Sequence, residues 1–336
     1  MRLRELGLRI GDLEAGPLNA ITDVPGVRVG HVTVHRDEPD PPAGRGIART
    51  GVTAIDPGVL PARAGAAVLN GAGELTSFIE ICELGRIETP VYLTSTMAVG
   101  RIYDGAVSVA TAADPSIGLD EVVIPVVGEC DDSWLSDSRV VQVEADDAGR
   151  ALAAAGDEVA EGAAGAGTGM MCFGWKGGIG TSSRVVPGGT LGVLVLANFG
   201  DPRLLRFAGV PLGHVLPEGA KERRPAGSCI GVVATDVPLS SAQLTRIARR
   251  VGLGLGRTGS TAHHGSGEIF VAFSTSREST VEDSALDPLF EAVVDASEEA
   301  VLNALWAGVE TTGRSGHVAH ALPHDAVLEQ LRVARP

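Results

Sequence analysis

A serine hydroxyl becomes a useful nucleophile only when a base within hydrogen-bond reach takes its proton. In "PAGSCIGVVATD" (225–236) a loop ends at Gly227 and an apolar run opens on Ser228, with no base adjacent in sequence. Scission of the Gly227–Ser228 bond would give Ser228 a free α-amine, whose ordinary pKa of about 7.7 to 8.0 suits a base working near neutrality. One residue would then carry nucleophile and base together. The same hydroxyl can make the cut by attacking the Gly227 carbonyl to form an ester that water resolves, and glycine tolerates the dihedrals of a strained peptide. On these residues alone the plain alternative stays open, a serine that ends a loop and caps a strand.

Two further groups fit the same chemistry. In "HHGSGEIFVAF" (263–273), Ser266 and Glu268 stand two apart at a strand start, which puts both side chains on one face, and Gly265 and Gly267 leave room for another backbone to approach. A carboxylate there can orient a serine hydroxyl that holds or relays a proton; a glycine-rich hairpin end is the alternative. Asn198 closes the apolar run "LGVLVLAN" (191–198) with a side-chain amide that can donate to a developing oxyanion. A turn-forming asparagine reads the same way.

The elements that must hold these residues are legible as runs and periods. "LGVLVLAN" (191–198), "SCIGVVAT" (228–235) and "EIFVAFST" (268–275) are nearly continuously apolar and predict strands buried on both faces. After Ser240, which forms a capping-box pattern with Gln243, the apolar residues Leu244, Ile247, Ala248 and Val251 predict an amphipathic helix. Leu286, Leu289, Phe290, Val293 and Val294 predict a second helix lying on a sheet. The segment 200–227, rich in Pro, Gly and mixed charge, reads as a long loop that runs straight into Ser228. No fixed-period repeat or low-complexity linker divides the chain, so a single layered α/β domain over 1–336 is expected.

Composition removes other classes. With 27 Lys and Arg against 42 Asp and Glu, the net charge of −15 repels nucleic acid and anionic membranes. No run reaches the roughly 18 to 20 apolar residues of a membrane span, and charges interrupt the N-terminal segment, so a cytoplasmic location is expected. Cys82, Cys130, Cys172 and Cys229 form no CxxC pair and read as reduced, mostly core residues, Cys229 included. "GLGRTG" (254–259) follows a helix instead of a strand, which removes the dinucleotide-turn reading. "GMMCFGWKGG" (169–178) is close to a phosphate loop but lacks the Ser or Thr that would bind magnesium. His263 and His264 are adjacent, hence on opposite sides of an extended chain, and read as rim residues; no metal site is expected.

Six segments carry a resemblance: "NAITDVPGVRVGH" (19–31), "ELGRIETPVYLTSTMAVG" (83–100), "GAGTGMMCFGWKGGIGTSSRVV" (165–186), "LGVLVLANFG", "GSCIGVVATDVPL" and "RTGSTAHHGSGEIFVAFST". Together, from about Asn19 to His324, the chain resembles the self-processing L-aminopeptidase/D-esterase (DmpA-type) and β-peptidyl aminopeptidase family. The resemblance implies a four-layer αββα sandwich of the type shared with ornithine acetyltransferases, cut between Gly227 and Ser228 into an α chain (1–227) and a β chain (228–336) that stay together. It implies Ser228 as nucleophile, Ser266 and Glu268 as its assistants, and Asn198 as an oxyanion donor. It further implies a homotetramer that needs no cofactor. The substrate would be a small peptide, amide or ester with a free amine, opened through an acyl-enzyme.

Within "PVVGECDDSWLSD" (125–137), similar to a segment lining the family's substrate pocket, Glu129 is the candidate partner for the substrate ammonium. Trp134 stands where the resemblance leads one to expect Tyr, so it is a second substrate-binding candidate that offers an N–H but no acceptor oxygen. Two other outcomes are compatible with the fold: an acyltransferase, in which an amine or hydroxyl acceptor replaces water, and a non-catalytic relative.

Overall fold

A computed structural model describes residues 2–216 and 227–334. Its longer strands sort into two stacked sheets. The first holds β1 (Arg28–Asp37), β2 (Ile47–Asp56), β5 (Val91–Ser95) and β6 (Val126–Cys130) in the order β1-β2-β5-β6. The second, in the order β4-β3-β10-β9-β8-β7, holds β3 (Ala62–Gly71), β4 (Arg86–Ile87), β7 (Gly178–Val186), β8 (Gly189–Asn198), β9 (Ser228–Thr235) and β10 (Gly267–Ser274). Two neighbouring pairs are parallel, β5 with β6 and β9 with β10. A parallel pair needs a crossover. Helix α2 (Val99–Ala113) supplies one and α4 (Ser241–Arg257) the other.

Apolar residues divide into three layers of packing. Ile55, Leu93 and Val126 of the first sheet meet Leu194, Leu196, Ile230, Val232 and Val271 of the second. Outside the first sheet, Val52, Tyr92 and Val127 pack with Ile102 and Ala106 of α2 and with Ala148 and Ala151 of α3 (Asp147–Ala153). Outside the second, Val193, Val195, Val233 and Phe270 pack with α4 and α5 (Asp287–Trp306). The layers therefore run α-β-β-α, the expected sandwich. Because β8, β9 and β10 are covered on both faces, alternation is lost from their sequences.

The expected elements hold with small shifts. The strand 228–235 has those bounds, 191–198 extends back to Gly189, and 268–275 begins one residue earlier at Gly267, with a register irregularity between Glu268 and Ile269. In α4 the Ser240 hydroxyl accepts from the Gln243 N–H at 3.3 Å and the Gln243 side chain accepts from the Ser240 N–H at 2.9 Å, a closed capping box. Leu244, Ile247, Ala248 and Val251 are all buried, each large side chain contributing about 1.5 to 3 kcal/mol. In α5, Leu289, Val293 and Val294 are buried, whereas Phe290 is half-buried beneath the Arg250 guanidinium, 3.4 Å from its ring centroid. Residues 254–257 of the glycine-rich "GLGRTG" form the last turn of α4. The segment after Gly200 is less plain a loop than expected, since Pro202–Leu204 form a 3-10 turn and 206–207 pair with 210–211; residues 217–226 lie outside the described residues. Cys130, Cys172 and Cys229 are buried thiols, but Cys82 is exposed near the end of the short helix α1 (Phe78–Leu84), a departure from the core reading.

Candidate active site

Register decides what surrounds Ser228. Across β8 it faces Asn198, and across β10 it faces Gly267. The Gly267 N–H donates to the Gly227 carbonyl oxygen at 3.3 Å, so the carbonyl before Ser228 is polarised by the neighbouring strand. Both glycines are required by close approach: a Cβ on Gly227 would lie 1.9 Å from the Asn198 carbonyl oxygen, and one on Gly267 would lie 2.6 Å from the Ala72 oxygen.

The Ser266 hydroxyl donates to Glu268 Oε1 in a short hydrogen bond, which joins the two residues as their spacing predicts. Glu268 lies across from Cys229, the residue after Ser228, and Ser266 comes one step before the Gly267–Ser228 pair. The dyad is thus aligned with the main chain of Ser228 and the peptide bond preceding it. Glu268 is fully buried, its Oε2 has no partner among the described residues, and burial raises its pKa against the opposing effect of the Ser266 hydroxyl. Asn70, at the end of β3, donates its Nδ2 to the carbonyls of His263 (2.9 Å) and Ser266 (2.6 Å) and so fixes the turn that presents Ser266.

Asn198 is held at both ends of its amide. Its Oδ1 accepts from the Met171 N–H at 2.9 Å and its Nδ2 donates to the Asp131 carbonyl at 2.8 Å. The Met171 loop is in turn fastened by Lys176, fully buried, whose ammonium donates to the carbonyls of Gly167 (2.8 Å), Met170 (3.0 Å) and Gly177 (2.8 Å).

At this strand end opens a cavity of about 850 Å³, with Gly227, Ser228, Gly265, Glu74, Thr96, Glu129 and Asp131 in its lining. Glu129 comes from β6, is 2% exposed, and accepts from the Glu74 N–H at 2.9 Å and from the Thr96 hydroxyl. Burial raises its pKa first, with the charges of Asp131 and Glu74 adding to it and the two hydrogen bonds opposing. A carboxylate in that state gains most when a cation arrives. Ser133, Asp137, Arg139 and Arg314 also line it.

Trp134 is not among the lining residues. Its ring stacks on His317, centroids 3.7 Å apart and planes 8° from parallel, and it packs against the cluster of Leu135, Met171 and Ala319. The stacked imidazole takes the indole away from the cavity, leaving Ser133 as its representative there. His263 contributes its carbonyl to the Ser266 turn, and His264 is exposed at the rim. Among the described residues no group of three or more His, Cys, Asp or Glu is arranged to hold a metal. Among them also, no helix is long and apolar enough to cross a membrane.

The sequence pattern of peptidase family S58 matches residues 19–319. The chain belongs to peptidase family S58. This peptidase is 39% identical over 370 residues to the β-peptidyl aminopeptidase BapA of Sphingosinicella xenopeptidilytica, an alignment covering 100% of this chain and 92% of the relative. Among solved structures it superposes on the PH0078 protein of Pyrococcus horikoshii with a TM-score of 0.93 at 41% identity, all of both chains covered. It superposes with a TM-score of 0.92 at 37% identity on the L-aminopeptidase D-Ala-esterase/amidase of Ochrobactrum anthropi, described as a prototype of the serine aminopeptidases and a variant of the Ntn hydrolase fold, over 99% of this chain and 98% of that one. The peptidase is accordingly an enzyme of the serine aminopeptidase kind.

Thr96, Asn70, Asp131, Arg139 and Arg314 were not legible as site residues. Asn70 precedes Gly71 and reads as a turn signal, and the others come from segments far from Ser228 in sequence. Asn70 arrives by the pairing of β3 with β10 in its own sheet, Thr96 and Asp131 follow β5 and β6 of the other sheet, and Arg139 and Arg314 come from segments outside both.

Proposed function

We propose that this chain is a self-processing N-terminal serine aminopeptidase that releases small N-terminal residues from peptides, amides or esters. In the processing step the Ser228 Oγ attacks the Gly227 carbonyl carbon. The C–N bond breaks, the Ser228 nitrogen takes up the proton, and the α chain is held as an ester on Oγ. Water hydrolyses that ester, releasing the Gly227 carboxylate and leaving Ser228 with a free amine at the head of the β chain. The Gly267 N–H aimed at the Gly227 oxygen supports this step, because charge grows on that oxygen as the hydroxyl adds.

In turnover the α-amine accepts the Ser228 hydroxyl proton as Oγ attacks the substrate carbonyl, then gives it to the leaving amine; water repeats the cycle on the acyl-enzyme. The Ser266–Glu268 pair, beside the main chain of Ser228, orients that amine. Asn198 is the oxyanion donor, its rotamer set by Met171 and Asp131. Glu129 receives the substrate ammonium, which confines the enzyme to free N-termini. The carrying observation is that Ser228, itself buried, lines the same cavity as Glu129. The same reading makes the protein a cytoplasmic homotetramer; the exposed apolar side chains Ile79, Leu84, Val122 and Ile124 around one groove suit a surface that subunits would cover.

Intact-mass measurement on active protein tests the reading. Two masses corresponding to 1–227 and 228–336 are expected, and a single mass after Ser228→Ala. An active enzyme with one full-length mass overturns it.

A further inference from the structure

The cavity over Ser228 carries both signs of charge, with the carboxylates of Glu74, Glu129, Asp131 and Asp137 and the guanidinium groups of Arg139 and Arg314 in its lining. The two arginines are not equivalent. Arg139 is engaged by Asp137 at 2.5 Å and by Asp40 at 3.0 Å, so its charge is already answered. Arg314 spends its Nε on the Ser133 carbonyl at 2.5 Å, and among the described residues no carboxylate lies within ion-pair distance of it.

Arg314 is also well anchored. Its main-chain N–H donates to the Leu135 carbonyl at 2.9 Å, and Gly313 is packed so tightly on Leu135 that a Cβ would lie 2.4 Å from the Leu135 Cα. With Nε occupied, the terminal nitrogens form a two-pronged donor on a fixed stem, the arrangement that suits a carboxylate. Glu129 meanwhile sits near the reacting strand: a Cβ on Gly73 would lie 3.1 Å from Glu129 Oε1 and 3.4 Å from the Gly267 Cα. Glu129 therefore stands beside the start of β10, next to Ser228, and Arg314 lines the same cavity.

We infer that Arg314 binds the C-terminal carboxylate of the substrate, so that the site is built for short peptides with both termini free. This deepens the proposed function and rests on it for the orientation of the substrate. Arg314 is a specificity residue in this scheme and takes no part in bond making.

The test compares alanylalanine and β-alanylalanine with their C-terminal amides and with the corresponding aminoacyl anilides. Wild-type protein should show a KM about 10- to 100-fold lower for the free acids than for the amides. Arg314→Gln should erase that difference by raising KM for the acids far more than for the amides, and Arg314→Lys should restore part of it. Equal KM values for acid and amide in the wild-type protein overturn the inference whether or not the variants fold, as does a uniform rise for all substrates in folded Arg314→Gln. Calorimetric titration of the Ser228→Ala protein with the same acids and amides reads the contact without turnover. A preference for the acid that disappears with Arg314 in a protein that hydrolyses nothing would uphold the carboxylate site and overturn the proposed activity instead.

Discussion

The main-chain N–H of Gly267 donates to the carbonyl oxygen of Gly227 across 3.3 Å, joining the start of β10 to the peptide that precedes β9. The contact follows from the parallel pairing of the two strands, which sets Gly267 against Ser228. It gives the carbonyl of the Gly227–Ser228 peptide a main-chain donor, and Ser266 stands one residue upstream of that donor.

Ser228→Ala should leave a single uncut chain and lower aminopeptidase activity by on the order of 10⁴-fold or more, since both nucleophile and amine base are lost. Ser228 is buried and small, so the thermal transition should stay near that of the wild type. A denaturing gel and an anilide assay on the same preparation check both outcomes.

Asn198→Ala removes the amide held between Met171 and Asp131. A fall in kcat of about 10²- to 10³-fold is expected, with a much smaller change in KM. Steady-state kinetics at saturating substrate decide whether the loss is in the transition state or in binding.

Glu129→Gln should reduce kcat/KM by about 100-fold for substrates with a free amine, because the buried partner of the ammonium loses its charge. The gap between a free-amine anilide and its N-acetylated counterpart should narrow accordingly. If the ratio of their rates is unchanged, Glu129 does not bind the amine.

Asp132, in the loop after β6, accepts from the Ser95 hydroxyl at 2.8 Å, and burial pushes its carboxyl pKa from 3.8 up to about 7. A carboxyl that holds its proton more tightly when folded stabilises most below its unfolded value, and that stability is lost as pH rises from about 4 to about 7. Asp132→Asn mimics the protonated form at every pH. Its stability relative to wild type should improve between pH 4 and pH 8 by on the order of 2 to 4 kcal/mol, measured by denaturant melts at both ends.

Lys176→Met should cost about 1 to 3 kcal/mol of stability, because three buried carbonyls lose the ammonium donor, although those of Gly167 and Met170 keep a main-chain N–H. The loop carrying Met171 would loosen with it, so kcat should fall at temperatures where the variant is still folded. Circular dichroism paired with kinetics at low temperature separates the two effects.

The amino-acid sequence by itself determined the strands that end at Asn198 and begin at Ser228 and, to within one residue, at Glu268, and the helix capped by Ser240. Local apolar runs, period and capping suffice for each, and the pairing of Ser266 with Glu268 follows from a spacing of two. It also pointed to Gly227–Ser228 as a junction with chemistry. What only the tertiary structure decided is the order β8-β9-β10, which brings those three strand ends into one row, and the stacking of β6 over them, which delivers Glu129. Trp134 shows the limit: its place in a segment similar to a pocket-lining one suggested the pocket, but its ring stacks on His317 and is not among the lining residues. Arg314 shows the converse, since it lies 86 residues after Ser228 and joins the same cavity only because the segment at Gly313 docks on Leu135. Contacts made across so long a chain separation leave no local periodicity to read, because the free energy that selects them comes from burying both surfaces at once.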